Sequence, residues 1–326
     1  MREFSRPKVV VSRCLGFDHC RYNGDMISSP VVAKLKKHVN FLPVCPEVEI
    51  GLGVPRNPVR IVLDKGNHRL VQPSSGKDVT ENMRTFCFSF LDSIEGVDGF
   101  ILKFRSPSCG LKDVKVYPSA GGQGVVEKSS GYFGGAVLER YPLLPVEDEG
   151  RLRNARIKEH FLTKLFTFAA FRKVKSEGST KDLISFHTQN KFLLMAYNQV
   201  ELRKLGNIAA NRESKPFKEL ISDYEEHLYS ALSRAPRYTS TINVLMHALG
   251  YFSDQLSGRE KALFFDSVQK YREGRASLCP AINTLRLWIA RFESDYLMNQ
   301  TFFEPYPEDL MEIDPVESHL REDLWK

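Results

Sequence analysis

The chain has 326 residues, of which 42% are hydrophobic and 26% charged, with a formal net charge of +6. This balance is ordinary for a globular protein and excludes disordered and fibrous classes, while the length suggests two domains, each able to bury its own core. No run of about 18 apolar residues is present, which argues against a transmembrane helix, and six cysteines over this length do not make a disulfide framework.

The opening MREFSRPKVVV lacks a signal-peptide core and enters a strand within a few residues, so a cytoplasmic protein is expected. KVVVSR (8–13) is an apolar run ending at Cys14. SSPVVAKLKKHV (28–39) has a serine cap, a proline near its first turn and a 3.6-residue apolar rhythm, and is expected to be a helix. NFLPVC (40–45) is a second short strand, and RIVLDKGNHRLVQP (60–73) reads as a hairpin about Gly66 and Asn67. Thr80 is expected to cap a helix through ENMRTFCFSFLDSI. DGFILKF (98–104) is a third buried strand, shortly before Cys109. This βαβ rhythm predicts a Rossmann-like α/β domain with a mostly parallel sheet and right-handed crossovers. In such sheets ligands bind at the carboxyl ends of the strands, where all three cysteine turns fall.

YPLLPVEDEG (141–150) reads as a boundary, giving domains 1–146 and 147–326. Beyond it almost everything is helix-periodic, with helices expected near 151–176, 180–197, 198–211, 216–234, 238–256, 258–273 and 280–299, an all-α domain. The tail, EPYPEDLMEIDPVESHLREDLWK, is acidic and proline-broken, and is expected to dock loosely or fray. Residues 151–240 hold 17 Lys or Arg against 9 Asp or Glu, whereas 295–326 hold 2 against 9. A basic middle suggests a surface for a polyanion. Arg151, Arg153, Arg156, Lys158, Arg172, Lys173, Lys175, Arg203, Lys204, Arg212, Lys215 and Lys218 are its candidates, with a solvated helix face as the plainer reading.

Cys14, Cys45 and Cys109 sit in three separate Gly- or Pro-punctuated turns, 31 and 64 residues apart. Neither interval fits a compact zinc finger or ferredoxin run. Three thiolates make an incomplete set for a four-position metal centre, and the position left open is what a catalytic site keeps. CPE places Glu47 two residues after Cys45, and RSPSCG places two hydroxyls within three residues of Cys109. A carboxylate beside a Lewis-acidic metal can deprotonate water, and a serine can relay a proton; a salt bridge to Arg56 or Arg21 is the alternative role for Glu47. Cys87 and Cys279 are read as core residues on apolar helix faces. Cys20, six residues after Cys14, is either a fourth ligand or a structural thiol. QPSSGKDVT lacks the phosphate-loop pattern because Asp78 replaces its hydroxyl residue. It is either a polar loop before the helix or a pocket loop through Ser74, Ser75, Lys77 and Asp78. Arg21, Tyr22 and Asn23 suit base or phosphate contact, or a surface turn. His187 and His247 lack HExxH spacing and are expected to be packed or hydrogen-bonded. No GxGxxG follows the first strand, so no nicotinamide or flavin site is expected.

SRCLGFDHCRYNGD, LPVCPEVEIGLGVPR, QPSSGKDVT and LKFRSPSCGLKDVKVY together resemble the thiouracil desulfidase family, over roughly residues 7–145. VEDEGRLRNARIKEHF, KFLLMAYNQVELRKLG and INVLMHALGYFSDQLSGREKALF resemble the YbgA-like helical domain. Their fusion resembles two-domain desulfidases that remove sulfur from 4-thiouridine in tRNA. The resemblance implies a 4Fe–4S cluster held by Cys14, Cys45 and Cys109, with one iron open to the substrate's sulfur. It also implies Glu47 as the catalytic glutamate, Ser106 as the catalytic serine, and hydrolysis of the C–S bond to hydrosulfide without net electron transfer. Cys20 departs from the family's pattern, which has an apolar residue there. Sharing one turn with Cys14, in a site that needs room for substrate, it is read as structural. The expected partner is thiolated tRNA, gripped by the helical half. The alternatives are the same chemistry on free thiouracil or thionucleosides, or an RNA-binding protein with a structural Cys-ligated zinc ion.

Overall fold

Val9, Val10 and Val11 have no solvent exposure, because the first strand runs through the middle of a parallel sheet covered on both faces. The computed structural model describes residues 2–311. Its N-terminal elements are β1 (Lys8–Ser12), α1 (Pro30–Leu35), β2 (Asn40–Val44), α2 (Pro46–Glu49), β3 (Arg60–Asp64), β4 (Asn67–Val71), α3 (Thr80–Ser93), β5 (Gly99–Leu102), β6 (Val114–Tyr117), β7 (Glu127–Ser129), α4 (Tyr132–Arg140) and β8 (Val146–Asp148). They form two four-stranded sheets. The first, in the order β2-β1-β5-β8, is parallel throughout. The second, β4-β3-β6-β7, is mixed. Pro43 is tolerated in β2 because that strand lies at an edge. Phe100, Leu102, Met83, Phe133 and Val137 share one buried cluster, and the rings of Phe86 and Phe90 stand within 6.2 Å of that of Phe133.

The register places Ser12 opposite Val44 and Val11 opposite Ile101. The three strands therefore end nearly level, and the chain leaves one sheet edge at Cys14, at Cys45 and on the way to Cys109.

The remaining elements are α5 (Ala155–Glu177), α6 (Thr180–Tyr197), α7 (Gln199–Ala210), α8 (Phe217–Ala231), α9 (Tyr238–Gly250), α10 (Gly258–Arg272), α11 (Cys279–Arg291) and α12 (Asp295–Met298), with no strand among the described residues beyond β8. Polar caps set their starts. The Ser179 hydroxyl accepts from Asp182 N–H, Asn198 Oδ1 accepts from Val200 and Glu201 N–H at 3.1 Å each, and Ser257 with Glu260 forms a capping box. Asn211, at φ +42, ends α7. Contacts divide the chain into one unit of Phe4–Ala169 with the stretch from Pro307, and another of Ala170–Tyr306 with residues 2–3. Phe192, Leu245, Phe252, Leu285 and Trp288 belong to the core of the second. No helix among the described residues is long and apolar enough to cross a membrane.

Several expectations are corrected. β6, β7 and β8 have no clear signature, since strands of three or four residues are too short to show a period. The segment 141–150, read as a boundary, contributes β8 to the main sheet, paired with Phe100–Leu102. The helix expected over 28–39 spans only Pro30–Leu35, and those expected to reach 256 and 299 stop at Gly250 and Arg291. Thr80 is not a cap: Val79 holds that position, and the Thr80 hydroxyl accepts from Leu70 N–H at 2.8 Å. Cys279 is exposed, because the buried stripe of α11 is Ala281, Leu285, Trp288 and Ile289, and position 279 lies off it. Cys87 is buried, as expected. At the tail, Leu310 is buried and Asp309 Oδ2 meets His38 Nε2 at 2.8 Å, so residues to 311 are packed; residues 312–326 lie outside the described residues.

Candidate functional site

Ser12, Cys14, Cys20, Cys45, Glu47, Arg56, Ser106 and Cys109 line one cavity of about 390 Å³ at the carboxyl edge of the parallel sheet. This volume falls in the range of small-ligand sites. All five residues singled out from the sequence, Cys14, Cys45, Cys109, Glu47 and Ser106, are therefore brought together, and Cys20 joins them.

Each segment is seated by its backbone. Cys45 follows β2 directly and caps the start of α2, its carbonyl accepting from Val48 and Glu49 N–H at 3.0 Å, which sets Glu47 in the first turn. The Cys14 loop closes where Ile27 N–H donates to the Cys14 carbonyl at 2.8 Å. In the third segment Ser106 Oγ accepts from the N–H groups of Ser108 (3.2 Å) and Cys109 (3.1 Å), a local serine turn. That turn lies against the start of α4: Phe133 N–H donates to the Ser108 carbonyl at 2.8 Å and Gly131 N–H to that of Gly110 at 2.7 Å. The approach is close enough that a Cβ at Gly110 would stand 2.4 Å from Val114 and one at Gly134 2.3 Å from the Gly110 carbonyl, so only glycine fits at either.

Glu47 is held from both sides. Arg56 Nε and Nη2 donate to its Oε2 at 2.8 and 2.7 Å, and Ser108 Oγ donates to Oε1 at 2.8 Å. Arg56 is 4% exposed at its side chain, and its Nη1 also donates to the carbonyls of Cys20 (2.9 Å) and Gly53 (3.0 Å). The salt bridge weighed from the sequence as an alternative role for Glu47 thus exists inside the cavity. It fixes the carboxylate there. Ser108, fully buried, was missed. The hydroxyls of SPSC are indistinguishable by spacing, and only the fold turns one toward Glu47 and the other onto its own backbone.

Burial and neighbouring hydrogen bonds favour the protonated thiol at Cys20, Cys45 and Cys109. Cys20 is pushed up to about 11, first by its hydrogen bond to the Cys14 thiol, with the Cys45 bond opposing and burial adding. Cys45 is pushed up by its bond to the Cys20 thiol and then by burial, and Cys109 by burial, with Ser12 in hydrogen-bond reach opposing. Among the described residues no three His, Cys, Asp or Glu side chains already surround one point as a formed metal site would have them. The donor chemistry nevertheless fits one class of group. A cavity lined by several thiols and a single carboxylate suits a thiolate-bound centre of iron–sulfur or zinc type, and suits magnesium or calcium poorly. Binding must release the thiol protons.

Arg13, Arg21, Tyr22 and Arg105 also line the cavity. Arg13 pairs with Glu49, and Arg21 Nη1 lies 3.8 Å from Asp25. Arg105, at φ +54, sets its guanidinium 4.7 Å from the centre of the Phe104 ring. Of the motif QPSSGKDVT, none of Ser74, Ser75, Lys77 and Asp78 lines the cavity; Asp78 Oδ1 accepts from Thr80 N–H at 2.9 Å, which is the polar-loop role. His187 is packed, its Nδ1 3.1 Å from the Tyr224 hydroxyl, whereas His247 is exposed.

Residues 9–149 match the 2-thiouracil desulfurase family, and residues 191–307 match DUF1722, a family of unknown function. The uncharacterized protein YbgA of Escherichia coli (strain K12) is 25% identical over 154 residues, which cover 47% of this chain and 91% of YbgA. The uncharacterized protein YbbK of Bacillus subtilis (strain 168) is 35% identical over 109 residues, 31% of this chain and 72% of YbbK. Among solved structures, the 4Fe–4S-dependent thiouracil desulfidase TudS is 29% identical and matches over 45% of this chain and 94% of its own, with a TM-score of 0.35.

Proposed function

We propose, for a chain that belongs to the 2-thiouracil desulfurase family through residues 9–149, that it is a 4Fe–4S-dependent desulfidase hydrolysing the C–S bond of 4-thiouridine in tRNA. The observation that carries this reading is the meeting of Cys14, Cys45, Cys109, Glu47 and Ser106 around one cavity. Cys14, Cys45 and Cys109 would hold the cluster, which supplies a soft Lewis-acidic iron suited to a thiocarbonyl sulfur and ill suited to the carbonyl oxygen of the product.

The protein's own groups account for the remaining steps. Glu47 orients a water against the ring carbon and takes its proton. Arg56 and Ser108 keep that carboxylate aimed, occupying Oε2 and one side of Oε1. Ser106, at the cavity wall, passes a proton to the ring or to the departing sulfur. Addition of water and loss of hydrosulfide leave a carbonyl and need no net electron, hence no nicotinamide or flavin. Arg13, Arg21 and Arg105 around the cavity favour a phosphate-bearing substrate, and a base stacked in RNA would be extruded to reach the iron.

A second substrate reading, free thiouracil or a thionucleoside, is favoured by the helical unit. There Lys175 meets Glu225 (2.8 Å), Lys204 meets Glu201 (2.9 Å), and Lys215 meets Asp223 (3.1 Å) with Glu219 and Glu213 inside 4 Å. Local pairing of this kind weakens the basic surface counted from the sequence.

Anaerobic reconstitution with iron and sulfide, followed by turnover on thiolated tRNA, on 4-thiouridine and on 4-thiouracil, tests the reading. A brown cluster with hydrosulfide released fastest from tRNA is expected, with the tRNA reaction weakening as salt rises. Faster turnover of the free base selects the second reading. A chain that binds zinc and no iron–sulfur centre overturns both.

A further inference from the structure

The proposed function leaves one thiol of the cavity without a role. Cys20 is 2% exposed and lines the same cavity as Cys14, Cys45 and Cys109. The Cys45 thiol donates to the Cys20 carbonyl at 3.8 Å, which sets the two cysteines side by side on the cavity wall. Cys87 and Cys279 do not line that cavity.

Spacing reads Cys20 as redundant, since it shares a turn with Cys14. The fold removes that objection. The loop carrying it closes between Cys14 and Ile27 and is fastened at Cys20 itself, whose carbonyl accepts from Arg56 Nη1 at 2.9 Å and lies 3.8 Å from the Cys45 thiol. A cavity wall needs only an apolar side chain at this point. A thiol lining the same cavity as the three proposed ligands is a fourth soft donor available to the same centre.

We propose that Cys20 is a fourth protein ligand to the iron–sulfur centre, closing it with four thiolates while substrate is absent. This rests on the reading of Cys14, Cys45 and Cys109 as the other three. Substrate enters by exchange: the bond from iron to the Cys20 sulfur breaks and the bond to the thiocarbonyl sulfur forms. No electron is gained or lost, and the freed thiolate takes a proton from water. Because Arg56 bonds both the Cys20 carbonyl and Glu47, movement of the Cys20 loop also reaches the carboxylate that activates water. A closed centre protects its otherwise open iron from oxidants between turnovers.

The full-length wild type, Cys20→Ser and Cys20→Ala are loaded anaerobically, then titrated with ferricyanide and followed by iron content and electron paramagnetic resonance. The iron lacking a protein ligand is the one an oxidant strips, which leaves a 3Fe–4S cluster. Both variants are expected to lose that iron, with the 3Fe–4S signal appearing, at oxidant levels that leave the wild type intact. Addition of 4-thiouracil to the wild type should shift the spectrum of its reduced cluster as the ligand changes. Equal resistance to oxidant in all three proteins overturns the assignment of Cys20. A different outcome overturns the three-ligand reading and takes Cys20 with it: a wild type that assembles no iron–sulfur centre, or Cys14→Ala, Cys45→Ala and Cys109→Ala variants that keep a complete one. Circular dichroism of the metal-free chains separates a lost ligand from a lost fold.

Discussion

At the sheet edge, side chains from distant segments complete one another. Glu47 is satisfied by Arg56 and by Ser108, 61 residues away, and four cysteines from three loops share a cavity. In the helical unit the charged groups are satisfied by partners in the same or a packed helix, as Lys204 with Glu201 or Lys175 with Glu225. The difference teaches how far composition can be trusted. A surplus of 17 basic over 9 acidic residues between 151 and 240 suggests a strong positive field, but pairs this close cancel beyond a Debye length of about 8 Å in physiological salt. Three widely spaced cysteines are a weak compositional signal, yet the parallel register concentrates them at one place.

The sharpest way to break this comparison is to remove thiols. Cys14→Ala, Cys45→Ala or Cys109→Ala is expected to abolish the cluster, read as iron and sulfide per chain. Cys279→Ala, exposed on α11, and Cys87→Ala, buried away from the cavity, should keep it. Loss of iron in the Cys279 variant would end the claim that the sheet edge alone carries the centre.

Next in size are the groups proposed to act on water and on the departing sulfur. Glu47→Gln and Ser106→Ala should retain full iron content and lose turnover by about 10²- to 10⁴-fold, the usual worth of a positioned acid or base. Unchanged hydrosulfide release in either variant removes that residue from the chemistry.

Arg56→Ala probes the buried pair by stability. With Arg56 4% and Glu47 12% exposed at the side chain, an uncompensated carboxylate should cost about 3–5 kcal/mol, seen as earlier urea unfolding of the N-terminal unit. Arg56→Lys should recover only part of this, because an ammonium cannot span Glu47 and the carbonyls of Cys20 and Gly53 together.

The smallest effect belongs to the helical unit. Burial, with Lys191 adding to it, lowers the His187 imidazole from 6.5 to about 4. The unfolded chain therefore binds this proton more readily than the folded one. Its stabilising share is complete above the ordinary value and is lost as pH falls from about 6.5 to about 4. The thermal midpoint of His187→Gln should fall less over that window than that of the wild type; parallel curves would sink the assignment.

Much of the architecture is legible in the residues alone. Val9–Val11 and GFIL read as buried strands by continuous apolar character, and the helix over Thr180–Tyr197 is expected at the residues where it is found, because Ser179 caps it and Asn198 ends it. The cysteine turns with Glu47 and Ser106 were also legible, as loops following strands. Ser108 and Arg56 were harder to read as a clamp, since each acts through a contact made only after the sheet forms. Cys279 misled because SLCPAI is apolar by composition while the helix's angular phase turns that position outward.

What the amino-acid order determined by itself is the local grammar: strand, turn, cap and helix, and the residue types able to bind a soft metal or move a proton. These depend on nearest neighbours and on periods of two and 3.6 residues. Only the tertiary structure decided which thiols share a cavity, which serine meets Glu47, and which lysines spend their charge on a neighbouring carboxylate. Those outcomes depend on parallel register and helix packing, which set distances between groups tens of residues apart.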